Sequence, residues 1–70
     1  MNAEEMFGKL GYKKVGLSSS ERLVYERFED DNFFSFDLAL KEIGVCDDYI
    51  AMEELKAINK QCEELGWKHE

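Results

Sequence analysis

Apolar residues return at spacings of four, three, four and three from Ala51 onward, through Leu55, Ile58, Cys62 and Leu65. That rhythm predicts an α-helix within Ile50 to Trp67, with one apolar stripe and with Glu53, Glu54, Lys56, Lys60, Gln61, Glu63 and Glu64 covering the rest. Gly66 can adopt the left-handed backbone that closes a helix, and Trp67 can then fold back onto the Cys62 turn. A helix apolar on one side needs a surface to cover, and the alternating segments before it offer a small sheet.

At the other end of the chain, Asn2 followed by Glu5 has the spacing of a capping box and predicts a short helix over Ala3 to Lys9, closed by Gly11 and Tyr12. At under three turns this helix cannot persist alone in water, so Phe7 and Leu10 must dock on the body of the protein. Tyr12 to Leu17 alternates, with Val15 and Leu17 on one side and with Ser18, Ser19 and Ser20 as a turn. Arg22 to Glu29 and Phe33 to Leu38 read as the next two strands, joined by a two-residue turn at Asp30 and Asp31. That turn sets Phe28 opposite Phe33, Tyr25 opposite Phe36 and Leu23 opposite Leu38, so Leu23, Tyr25, Phe34, Phe36 and Leu38 share one face. Ala39 to Lys41 is a further turn and Glu42 to Cys46 a fourth strand, with Ile43 and Val45 inward. The opposite face carries Val24, Phe28 and Phe33 as an apolar patch, beside Glu26, Ser35 and Asp37, and only the first helix is free to cover it. The fold class that follows is α+β: a short N-terminal helix, an antiparallel meander of three to four strands, and a long C-terminal helix packed on one sheet face. Residues 1–70 form a single domain.

Charge changes the picture more than composition does. The chain carries −7, and Glu26 to Glu54 alone holds ten acids and two bases, a net −8. Such a field repels phosphate backbones and argues against nucleic acid and anionic membranes as partners. It favours solubility, and beyond that a basic protein partner. No apolar run reaches the roughly 18 residues of a membrane span, and Met1 to Leu10 lacks the pattern of a signal peptide, so a cytoplasmic location is expected. Cys46 and Cys62 are then most simply reduced thiols, with Cys62 a small core residue on the helix stripe.

Candidate chemistry is sparse. His69 lies next to the last residue, where chains fray, and a general base needs a fixed position. Fifteen residues separate Cys46 from Cys62 and six separate Cys62 from His69, which is no zinc spacing. The clusters Glu29, Asp30, Asp31 and Asp47, Asp48 lack the pattern of a calcium loop. Gly8, Gly11 and Gly16 form no phosphate-binding loop. Neither an enzyme nor a cofactor or metal is expected.

The segments LGYKK, LVYERF, FFSFDL and above all MEELKAINKQCEELGW resemble a group of small proteins encoded in phages and prophages of Gram-positive bacteria. Ala51 stands where that group suggests Thr or Ser as a helix cap, and Asp47 or Asp48 can cap instead. The resemblance implies a cytoplasmic accessory protein and brings no catalytic residue with it. The expected function is non-enzymatic protein interaction through Val24, Phe28 and Phe33 with Glu29, Asp30, Asp31, Asp47 and Asp48. The alternatives are a nucleic-acid-associated protein and a phosphate-mimicking binder of a DNA-binding protein. A monomer or a weak homodimer is expected.

Overall fold

The computed structural model describes residues 1–15 and 21–67. The elements follow in the order α1 (Ala3–Lys9), β1 (Lys13–Lys14), β2 (Arg22–Arg27), β3 (Asn32–Asp37), β4 (Glu42–Val45) and α2 (Met52–Glu64). The four strands form one antiparallel sheet in sequential order, so the fold is α+β with a simple meander. Gly16, Leu17, the serine turn and His69 lie outside the described residues.

Both helices begin and end through local chemistry. Asn2 Oδ1 accepts from Glu5 N at 2.8 Å while Glu5 Oε1 accepts from Asn2 N at 2.9 Å, so the capping box forms. At the far end, Gly11 has φ of 91°, and Tyr12 N donates to Phe7 O and Gly11 N to Gly8 O, both at 3.0 Å. Helix α2 repeats this closure: Gly66 has φ of 77°, and Trp67 N donates to Cys62 O at 2.9 Å. In each case a glycine at positive φ lets an aromatic residue turn back on the helix it follows. The start of α2 departs from expectation, because neither Asp47 nor Asp48 caps it. Ala51 stands at the N-cap, and Glu54 Oε1 reaches back to accept from Ala51 N at 2.9 Å.

The β2–β3 register differs from the expected one by two residues. Tyr25 pairs with Phe34, Leu23 with Phe36 and Arg27 with Asn32, so the turn holds four residues, Phe28 to Asp31. Asp31 closes it at φ of 57°, a conformation that Asp tolerates better than most residues. The second hairpin repeats the length: Asp37 pairs with Glu42, Lys41 takes φ of 56°, and Asp37 Oδ1 accepts from Ala39 N and Leu40 N. A two-residue shift preserves parity, so Leu23, Tyr25, Phe34 and Phe36 still share one face and are all buried. The opposite face changes more, because Glu26 and not Phe28 stands against Phe33.

Helix α1 covers the same face as α2, not the opposite one. Phe7 is fully buried, stacked on Tyr25 at 4.2 Å between centroids and near Tyr12, Phe34 and Phe36. The two helices lie side by side, and that neighbour rotates α2 away from the expected stripe. Its buried residues are Glu54, Ala57, Ile58, Gln61 and Cys62, whereas Leu55 is 37% exposed. Ile43 and Val45 stand opposite Phe36 and Phe34 and so point to the helix side, yet they are 38% and 43% exposed. The helices leave the edge strand uncovered.

Candidate interaction surface

The end of the sheet bearing the β2–β3 turn is built on a buried polar cluster. Tyr12, placed by the closure of α1, donates its hydroxyl to Glu54 Oε2 at 2.7 Å and accepts from Asn32 Nδ2 at 2.6 Å. Arg27 lies over the Tyr12 ring at 4.6 Å, donates to Leu10 O at 3.1 Å, and forks onto Asp30 through Nε at 2.9 Å and Nη2 at 2.7 Å. Glu54 is further held 3.9 Å from the same guanidinium. Burial, reinforced by the Glu54 carboxylate, raises the Tyr12 phenol well above its ordinary pKa. The hydrogen bond from Arg27 holds the Asp30 carboxyl below its ordinary value. Deeper in the core Tyr25 donates to Gln61 Oε1 at 2.7 Å, and burial pushes its phenol up to about 12. Burial likewise raises the Cys62 thiol, as suits a core residue.

On this base the turn presents Phe28, 70% exposed, with Glu29, Asp30 and Asp31 around it. Cys46 Sγ comes within 3.9 Å of Asp31 O, so the segment carrying Asp47 and Asp48 starts beside the turn. The two acidic clusters, sixteen residues apart in sequence, thus share one end of the molecule. Asp30 differs from its neighbours, since its charge is already engaged by Arg27. Among the described residues no three His, Cys, Asp or Glu side chains are gathered closely enough to hold a metal ion. The apolar part of the expected patch is divided. Val24 is half-buried and sits opposite Ser35, and Phe33 sits opposite Glu26, so Val24, Phe28 and Phe33 do not make one continuous strip.

Comparison with protein families, with characterised proteins and with solved structures yields no match for this chain. No helix among the described residues is long and apolar enough to cross a membrane.

Tyr12, Glu54, Asn32 and Arg27, which hold this end together, were not among the expected site residues. A signal existed for two of them. Tyr12 stands at the folded-back position after a helix-closing glycine, and Glu54 is the third residue of a helix whose cap lacks a side-chain acceptor.

Proposed function

We propose that this chain is a small non-enzymatic interaction protein, an accessory factor of phage or prophage type. It engages a basic protein partner through the end of the sheet that carries Phe28. The observation that supports this reading is an exposed aromatic side chain on a braced acidic turn, with the segment that leads into Asp47 and Asp48 starting beside that turn. An exposed aromatic at an acidic end of the molecule suits a partner that offers an apolar socket with a basic rim: the ring supplies contact area, and the carboxylates supply orientation and on-rate. Glu29, Asp31, Asp47 and Asp48 serve the rim, whereas Asp30 serves the turn itself.

The test is affinity capture from a bacterial lysate with the wild-type chain and with Phe28→Ser, both checked for folding by circular dichroism. A protein retained by the wild type at physiological salt, lost with Phe28→Ser and eluted by raised ionic strength, is the expected result. Equal retention by folded Phe28→Ser refutes the assignment of this end.

A further inference from the structure

The two edges of the sheet are finished differently. β1 ends it with two residues, both lysine, a charged edge of the kind that discourages further strands from adding. β4 has no lysine, no proline and no break in its register with β3 from Glu42 to Val45.

The direction of its free backbone groups follows from bonds elsewhere in the sheet. Val15 N donates to Val24 O and Leu38 N to Glu21 O, both at 2.9 Å. Backbone groups in an antiparallel sheet alternate between neighbours, so even-numbered residues of β2 face β1 and odd-numbered ones face β3. Carrying the alternation through the registers of β3 and β4 leaves Glu42 and Gly44 bonded to β3, with the N–H and C=O of Ile43 and Val45 directed outward. The side chains of those same two residues stand partly exposed on the helix side.

We infer that β4 is a docking edge for a second copy of this chain, the two β4 strands pairing antiparallel about a twofold axis at Gly44. This register sets Ile43 against Val45 of the other copy twice over. It forms four interchain hydrogen bonds and continues the apolar rows of Phe36 and Phe34 across the seam. Shifting the axis to Ile43 sets Val45 against Lys41, which has left the strand at φ of 56°. Shifting it to Val45 sets Ile43 against Asp47. Only the axis at Gly44 gives both Ile43 and Val45 an apolar partner, and it also brings the turn that carries Lys41 in each copy toward the segment of the other that carries Asp47, opposing charges at both ends of the seam. The central pair is of the close type, about 4.5 Å between Cα atoms, and is two glycines. Within the chain a Cβ at position 44 would meet Ser35 Oγ at 2.5 Å, so that hydroxyl would have to turn aside.

The test is sedimentation equilibrium of the wild type, Val45→Pro and Ile43→Lys over a wide concentration range, with folding followed by circular dichroism. Proline at Val45 removes an outward N–H and leaves the bonds to β3 intact. It deletes two interchain hydrogen bonds, each worth a factor of about five, so the dimer should weaken about 25-fold. Ile43→Lys, which inserts two charges into the seam, gives the same readout should the proline variant not fold. A wild type that stays monomeric at millimolar concentration overturns the inference, as does a folded variant that dimerises like the wild type. Register is read by oxidation: Glu42→Cys faces Cys46 of the other copy in a close pair and should form a disulfide-linked dimer, while wild-type Cys46, far from its own copy, should not. A wild-type Cys46–Cys46 disulfide dimer, or none in Glu42→Cys, refutes the axis at Gly44.

Discussion

Tyr12→Phe removes one oxygen from the core and should cost a large share of the total stability. The ring contacts survive, since Phe7 and Phe34 lie at 5.9 and 5.2 Å between centroids and Arg27 at 4.6 Å. What goes is the acceptor for Asn32 Nδ2 and the donor to Glu54 Oε2, on two residues that are each 7% exposed. A buried group left unsatisfied costs about 1–3 kcal/mol, with carboxylates at the upper end. Arg27 at 3.9 Å can move closer to Glu54 and recover part of the loss, so about 2–4 kcal/mol is expected. A single core of this size yields roughly 3–5 kcal/mol in all. Denaturant unfolding followed by circular dichroism should show a much lower midpoint with the slope unchanged. Adding Glu54→Leu should then cost less than the two single changes together predict, because the partners act as a unit. A Tyr12→Phe variant within about 0.5 kcal/mol of the wild type would refute the view that this cluster anchors the turn end.

The rotation of α2 gives a paired prediction: Leu55→Ala should cost less than about 1 kcal/mol, whereas Ile58→Ala, 4% exposed, should cost about 2–4 kcal/mol by thermal or chemical melts, and equal costs would show that the exposed stripe has been misplaced. Alkaline pH should also destabilise the fold. The Tyr12 and Tyr25 phenols are raised in the folded chain, so their contribution is whole below the unfolded pKa of about 10 and is lost as pH rises through the folded values, Tyr25's being about 12. Unfolding curves collected from neutral pH upward, with phenolate absorbance recorded alongside, should show stability falling above about pH 10; a flat profile there would contradict the burial of both hydroxyls.

Much of this architecture was legible because its signals are local. Asn2, Glu5, Gly11 and Gly66 act within one helical turn, and the parity of Leu23, Tyr25, Phe34 and Phe36 survives an error of two in register. The turn length was not legible, since Asp30 and Asp31 suit a two-residue turn as well as the end of a four-residue one, and only the Arg27–Asn32 pairing decides. Nor was the buried side of α2. Periodicity ranks Leu55 above Glu54 and Gln61, but two core tyrosines need acceptors, and a neighbouring helix supplies apolar cover on the side where Ala57 lies. The acidic end was legible as two clusters and not as one surface, because their meeting depends on where β4 delivers Cys46.

The bond from Ala3 N to Glu64 Oε2, 2.7 Å long, spans 61 positions of the chain. It ties the final seating of α1 to the completion of α2. Helix α1 is synthesised before the sheet and α2 but has too few turns to persist alone, and its seat beside α2 is absent until α2 has been made. A nascent chain halted before Glu64 can therefore seat Phe7 on the sheet alone, without the neighbouring helix and without the bond that holds Ala3.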